Sequence, residues 1–142
     1  MAADALIDTG TILALLDKSD EWHLVCQATF RQLRFPLLTS EAVLTELFHM
    51  VGDFPSRIEA AWKLLQPGIV SLASIEHSEL SDIKSLMLRY SDRPMDFTDA
   101  TLVHLAARES IHVIFTVDRG DFSVYRIGGK RRFQVLPIER PR

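Results

Sequence analysis

Acidic residues that follow or adjoin apolar segments are the most chemically suggestive feature of this sequence. Asp8 directly follows the apolar run ALI, and Asp118 follows VIFTV. Glu46 lies among apolar neighbours in TELFHM, and Asp99 lies near the start of the segment FTDATLVHLA. Carboxylates gathered in one pocket would destabilise the fold unless cations neutralise them, and Mg²⁺ and Mn²⁺ prefer such oxygen ligands. An acid-only metal site suits phosphodiester hydrolysis, in which ions activate water and stabilise the leaving oxygen.

Three of these four acids also admit a simpler structural interpretation. Asp99 and Asp96, three residues before it, are suited to capping a helix, since helix N-termini favour carboxylates. Asp118 and Asp121 are suited to a turn, because a glycine lies between them. Glu46 would face solvent if its helix turned that side outward. The sequence leaves these interpretations open beside the metal site.

Other catalytic motifs are poorly supported. The pattern E-x-x-H occurs at 46–49 and 109–112, as in di-iron bundles, but the chain does not read as a four-helix bundle. The segment DTGT resembles phosphatases with an aspartyl nucleophile, yet Gly10 stands where their second aspartate belongs. Phosphate-binding glycine loops do not occur, and Cys26 is the single cysteine, which disfavours a zinc site.

Short apolar strands alternate with helical patterns along the chain. The predicted strands are 5–8, 37–39, 70–72, 113–116 and 133–136. The predicted helices are 11–16, 21–33, 41–51, 56–65, 78–90 and 98–110. This alternation predicts the α/β class, with one domain over 1–142 and a mainly parallel sheet flanked by helices on both faces. Such folds bind ligands beyond the carboxyl ends of the strands, where Asp8 and Asp118 are expected.

Composition places the chain among ordinary globular proteins. Its 142 residues are 47% hydrophobic and 25% charged, enough for one buried core. A lone cysteine allows no internal disulfide, so a reducing compartment, the cytoplasm, is expected. The sequence contains neither a standard signal peptide nor an apolar run of the ~20 residues that span a bilayer, so no membrane role is expected.

Three segments together are similar to one known family. They are ALIDTGTILALLD, SEAVLTELFHM and PMDFTDATLVHLAARESIHVIFTVDRGDFSVYR. The chain resembles the PIN-domain ribonucleases over about residues 4–138, and in particular the VapC toxins of bacterial toxin–antitoxin pairs. The resemblance implies a Mg²⁺- or Mn²⁺-dependent endoribonuclease with a parallel sheet between helices.

The resemblance also implies a set of site residues. The four catalytic and metal-binding acids would be Asp8, Glu46, Asp99 and Asp118. Accessory residues would be Asp96, Thr116 and Asp121. Within this set, Asp8 and Asp99 would hold the principal metal. Glu46 and Asp118 would complete the site, either by binding the metal directly or through water molecules. Gly10 departs from the family pattern, in which many relatives have Ser or Asn near the metal.

The end of the chain is basic, and its role has several interpretations. The net charge of residues 1–118 is −8, whereas that of residues 119–142 is +5. The cations of interest are Arg126, Lys130, Arg131 and Arg132. Because the strand that follows them returns to the sheet, they are expected to border the acidic pocket and to bind RNA phosphates. They would equally suit the tail of the small antitoxin that relatives bind as homodimers, or they would only aid solubility.

A second function is compatible with the same resemblance. A catalytically idle PIN-type module would bind RNA or act as a scaffold, using the basic segment and Arg119. The intact acid set disfavours this alternative, because a negative pocket does not help RNA binding. A metal requirement for RNA cleavage distinguishes the two.

Overall fold

The computed structural model of the protein describes residues 3–93 and 95–142. In this part of the chain the strands are β1 (Ala5–Ile7), β2 (Leu37–Ser40), β3 (Val70–Ala73), β4 (Val113–Phe115), β5 (Arg126–Ile127), β6 (Arg131–Arg132) and β7 (Gln134–Leu136). The α-helices are α1 (Thr9–Leu16), α2 (His23–Gln32), α3 (Glu41–Val51), α4 (Pro55–Leu64), α5 (Leu80–Arg89), α6 (Phe97–Glu109) and α7 (Arg119–Val124). A 3-10 helix at His77–Glu79 precedes α5.

Five strands form one parallel sheet in the order β3-β2-β1-β4-β7. The chain moves outward from β1 to β3 and then crosses back to β4 on the other side of β1. Because crossovers between parallel strands are right-handed, this reversal puts helices on both faces of the sheet. The predicted α/β class, with a mainly parallel sheet flanked by helices, is confirmed. The strand order reverses between β1 and β4, which is where ligands bind in such folds.

The core lies between this sheet and its helices. All three residues of β1 are buried, as are Ile114 and Phe115 of β4, as expected for central parallel strands. Helix α6 buries eight residues, including Leu102 and Leu105, against the sheet and its neighbours. Among the described residues, no helix has both the length and the hydrophobicity needed to cross a membrane. The strands and helices that carry the site described below contribute residues to this core.

Helix α7 was not predicted from the sequence. The glycine between Asp118 and Asp121 is typical of a turn, but the segment RGDFSV forms six helical residues. Phe122 and Tyr125 are both fully buried and pack edge-to-face with ring centroids 5.2 Å apart. Burying two aromatic rings stabilises a helix too short to form alone. The consequence is that Asp118 begins a helix rather than lying in a loop.

Candidate active site

A cavity of about 260 Å³ opens beyond the carboxyl ends of β1 and β4. The acidic side chains that line it are Asp8, Glu46, Asp96, Asp99, Asp118 and Asp121. They come from the ends of two adjacent strands, the middle of α3 and the beginnings of α6 and α7. The structure thus brings together all four principal acids of the sequence prediction and two of its three accessory residues. We call this the acidic cavity.

Asp8 ends β1 and serves as the N-cap of α1. Its Oδ1 accepts hydrogen bonds from the amide and the hydroxyl of Thr11, at 3.2 and 3.0 Å. Its Oδ2 accepts a hydrogen bond from the hydroxyl of Thr116, the third accessory residue. Burial raises the pKa of Asp8 to about 6, although these hydrogen bonds oppose the rise. Thr116 also accepts from the amide of Asp118 at 2.9 Å, so it joins the two strand-end acids.

Glu46 reaches the acidic cavity from the middle of α3 and does not face solvent freely. Its Oε1 accepts a hydrogen bond from the hydroxyl of Thr9, and its Oε2 accepts one from the hydroxyl of Thr98, both at 2.8 Å. Both threonines are buried, whereas Glu46 is half-buried. The carboxylate is therefore held on both sides by groups from α1 and α6.

Asp96 and Asp99 lie at the beginning of α6. The Asp96 side chain caps the helix by accepting from the amide of Asp99 at 2.7 Å. The Oδ2 of Asp99 accepts from the hydroxyl of Tyr125 at 3.2 Å. Burial first, and then the charge of Asp96, raises the pKa of Asp99 to about 7. Asp96 both caps α6 and lines the acidic cavity, so the two interpretations left open by the sequence do not exclude each other.

Asp118 and Asp121 lie at the beginning of α7. Asp118 caps the helix by accepting from the amide of Asp121 at 3.4 Å. Partial burial, followed by the neighbouring Asp121, raises the pKa of the Asp118 carboxyl. Among the described residues, Arg93 is the one cation that pairs with an acid of the cavity, at 3.1 Å from Asp121 Oδ1. Three acids thus cap helices, and the partial positive charge of those helix ends offsets part of their repulsion.

The donor set fits a hard divalent cation. Of the described residues, three have carboxylate oxygens that lie within 4.8 Å of one another, namely Asp99, Asp118 and Asp121. The raised pKa values of Asp8, Asp99 and Asp118 show that the ionised cavity is unfavourable without a neutralising cation. Oxygen-only ligands favour Mg²⁺ or Mn²⁺ over zinc. Asp121, an accessory residue in the sequence prediction, is one of these three.

Comparison with known proteins agrees with this architecture. The sequence matches the PIN domain family over residues 5–128. The chain belongs to the PIN domain family. It is 29% identical over 135 residues to Ribonuclease VapC26 of Mycobacterium tuberculosis, covering 93% of this chain and 99% of that protein. Its fold is similar to the crystal structure of M. tuberculosis VapC20, a toxin that cleaves the sarcin–ricin loop, with a TM-score of 0.73 and 19% identity over 82% of this chain and 91% of that one. The resemblance drawn from the sequence is confirmed.

Gly10 is the position at which this PIN domain departs from the expected pattern. A Cβ atom at Gly10 would lie 2.9 Å from Cγ2 of Val117, closer than non-bonded carbon atoms approach. Val117 is the residue between Thr116 and Asp118, and both Gly10 and Val117 line the acidic cavity. The β-branched side chain of Val117 therefore occupies space that a side chain at residue 10 would need.

The basic segment of this PIN domain forms the β5–β6 hairpin. Its cations are Arg126, Lys130, Arg131 and Arg132. Gln134 at the start of β7 pairs with Val113 at the start of β4, and the two strands run parallel toward the acids. The chain therefore enters β7 at the opposite, amino edge of the sheet. All four cations lie in the part of the chain that the structure describes, and none of them lines the acidic cavity. The sequence-based expectation that they border this cavity is therefore not met. Their binding to RNA or an antitoxin stays a prediction.

Arg126 has a structural contact that the sequence did not indicate. Its guanidinium Nη1 donates to the carbonyl oxygens of Ser123, Val124 and Tyr125, at 3.0, 2.7 and 3.2 Å. Its amide donates to the hydroxyl of Tyr90 at 2.9 Å. Arg126 therefore satisfies carbonyl groups at the end of α7 and helps to hold the helix that begins with Asp118.

Sequence reasoning missed the hydroxyl groups that support the PIN-domain acids. The hydroxyl donors other than Thr116 are Thr9, Thr11, Thr98 and Tyr125. Thr11 lies three residues after Asp8, to which it donates, and this proximity was the one local signal available. The contacts of Thr9, Thr98 and Tyr125 are made across separate elements and become visible only in the folded protein.

Proposed function

We propose that this chain is a metal-dependent endoribonuclease that hydrolyses RNA phosphodiester bonds and acts as the toxin of a toxin–antitoxin pair. The observation that supports this most strongly is the acidic cavity of a PIN domain, with six carboxylates at the strand order reversal. The similarity to a protein named a ribonuclease over nearly the whole chain supports the same activity. A cavity used only to bind RNA would not carry this concentration of negative charge.

Mg²⁺ or Mn²⁺ would be held by Asp99, Asp118 and Asp121, with Asp8 close by. The ion, when bound, activates water and stabilises the leaving oxygen of the phosphodiester. The chain's own residues orient the carboxylates: Thr116 holds Asp8, and Tyr125 holds Asp99. Such fixed polar groups need no reorganisation when charge develops in the transition state. Products with a 5′-phosphate are expected.

The site assignment can be tested by removing one carboxylate. The Asp99→Asn variant keeps the side-chain shape but removes a metal-binding charge, so RNA cleavage with Mn²⁺ should fall at least 100-fold. The matched control is Asp53→Asn, at an exposed acid between α3 and α4, and it should cleave at the wild-type rate. Cleavage by Asp99→Asn at the wild-type rate would show that the metal assignment is wrong.

The identity of the RNA is tested with a panel. VapC20, which shares the fold, is described as cleaving the sarcin–ricin loop, so the panel should contain that loop together with a transfer RNA and a messenger RNA.

We propose that the functional unit is a cytoplasmic homodimer that binds a small antitoxin. Sedimentation of the purified chain, and co-expression with the protein encoded by the neighbouring gene, test these two assignments.

The idle RNA-binding module is the second candidate, and the exposed cations of β6 favour it. In EDTA, an idle module binds RNA as well as in Mn²⁺ and never cleaves it, whereas the nuclease cleaves only with the ion.

Replacing Lys130, Arg131 and Arg132 with Gln removes three cations without disturbing the contacts of Arg126. If they bind RNA phosphates, the dependence of log K on log salt should flatten by about 2, at roughly 0.7 per phosphate contact with single strands. An unchanged slope would assign these cations to solubility.

A further inference from the structure

The carboxylate of Glu46 is the one principal acid whose two oxygens are both held by hydroxyl groups of other helices. Thr9 donates to one oxygen and Thr98 to the other, each at 2.8 Å. Thr9 begins α1, Thr98 lies in the first turn of α6, and Glu46 lies in the middle of α3. The carboxylate is thus the point at which three helices meet at the acidic cavity.

A second hydrogen bond fixes α3 relative to α6. The hydroxyl of Thr101 donates to the carbonyl oxygen of Thr98 at 2.6 Å. Its oxygen lies 2.8 Å from the hydroxyl of Ser40, the N-cap of α3. Since the Thr101 hydrogen is already used, Ser40 must donate in this pair. Ser40 and Thr101 are buried, so their bond is protected from competition with water.

These contacts close a ring between the two helices. One side of the ring runs through Ser40 and Thr101, and the other runs from Thr98 to Glu46. Helix α3 carries both Ser40, which caps it, and Glu46, so the helix cannot slide or rotate against α6 without breaking one of these bonds. Thr9 then fixes the remaining freedom of the carboxylate from the side of α1.

We propose that Thr9 and Thr98 are positioning residues that hold the Glu46 carboxylate in the orientation it needs beside the metal. This inference rests on the proposed nuclease function. Each hydroxyl occupies one acceptor direction of one oxygen, and the remaining lone pairs stay available in the cavity to a metal or to a water molecule. The threonines act through Glu46 and do not themselves contact substrate.

Isosteric replacement tests the proposal. Thr98→Val and Thr9→Val keep the shape but remove the donor, whereas Thr98→Ser and Thr9→Ser keep the hydroxyl. Each valine variant should lower kcat about 10-fold, the low end for a hydrogen bond to a charged group, with KM for RNA changed less than twofold. Each serine variant should retain most of the wild-type kcat. Equal losses in the valine and serine variants would indicate a packing role and overturn the proposal.

A double-mutant cycle with Glu46→Gln provides the decisive measurement. If Thr98 acts only through Glu46, the loss caused by Thr98→Val should disappear in the Glu46→Gln background. Full additivity of the two losses would overturn the proposal. The matched control is Thr45→Val, because Thr45 lies next to Glu46 on α3 but is exposed and donates to the carbonyl of Glu41. That variant should match the wild type in every assay.

Mn²⁺ affinity, measured by calorimetry without RNA, separates this proposal from the proposed function. Thr98→Val should weaken Mn²⁺ binding severalfold, and Thr45→Val should not. If the wild type binds Mn²⁺ but cleaves none of the RNAs tested, the nuclease assignment fails while this affinity difference still tests the threonines. An unchanged affinity in Thr98→Val and Thr9→Val overturns the positioning role, and so does a wild type that binds no Mn²⁺.

Discussion

Ionisation of Asp8 should destabilise the fold when no metal is bound. Burial raises the pKa of this carboxyl from 3.8 to about 6, so the folded protein holds the proton more tightly than the unfolded chain does. The destabilisation is therefore absent below a pH of about 4, grows as the pH rises, and is complete above about 6. A difference of about two pKa units corresponds to about 3 kcal/mol of unfolding free energy.

The Asp8→Asn variant isolates this contribution, because asparagine has the shape and neutrality of a protonated aspartic acid. In the absence of metal, the variant and the wild type should have similar stability at pH 4. Above pH 6 the variant should be more stable, by up to about 3 kcal/mol. Titrating groups outside the acidic cavity, such as Glu79 with its pKa lowered to about 2 by its hydrogen bond with His104, contribute equally to both proteins and cancel in the difference.

Urea unfolding in EDTA, followed by the fluorescence of Trp22 and Trp62 at several pH values from 4 to 8, measures this difference. Mn²⁺ should reverse the order of stability once its gain exceeds this difference, because it binds the folded wild type better; at roughly 1,000 times Kd the gain is about 4.1 kcal/mol. A difference that stays constant from pH 4 to 8 would refute the argument. So would a wild type that is the more stable protein in EDTA at pH 8.

Three further substitutions test other contacts of the cavity. Tyr125→Phe removes the donor to Asp99 and should lower stability by about 1 kcal/mol and reduce Mn²⁺ affinity, as thermal unfolding and calorimetry would show. Gly10→Ala should destabilise the protein by roughly 1–3 kcal/mol through its contact with Val117, and the added change Val117→Ala should recover most of that loss in urea unfolding. Arg93→Gln removes the cation beside the acids and should raise Mn²⁺ affinity severalfold in calorimetry, whereas weaker Mn²⁺ binding would contradict a competing role for this side chain.

The position of the acids was predictable because it depends on a simple rule of parallel sheets. Asp8 and Asp118 each follow an apolar run, and the carboxyl ends of neighbouring parallel strands meet at one edge. Helix α3 was predicted with its observed bounds, since Ser40 caps it and Gly52, with a φ of 72°, ends it. Local chemistry was sufficient in these cases.

The remaining features depend on contacts between distant parts of the chain. Helix α7 forms because Phe122 and Tyr125 become buried, and the local sequence alone reads as a turn. The hydroxyl bonds to Glu46 join residues 37 and 52 positions apart. The sequence predicts that β7 returns to the sheet, but it does not show the edge at which the chain enters β7. The expected position of the basic hairpin is wrong for this reason.

The central place of β1 has a consequence for synthesis in the cell. This strand is synthesised before its partner β4 and before the Thr116 hydroxyl that binds Asp8, which belong to a segment 108 residues later. Such pairing between distant segments forms slowly and only once both are available. A nascent chain lacking the segment from β4 to α7 has neither Asp118 nor the Thr116 hydroxyl that binds Asp8. The acidic cavity is therefore complete only after the segment from β4 to α7 has been synthesised and has paired with β1.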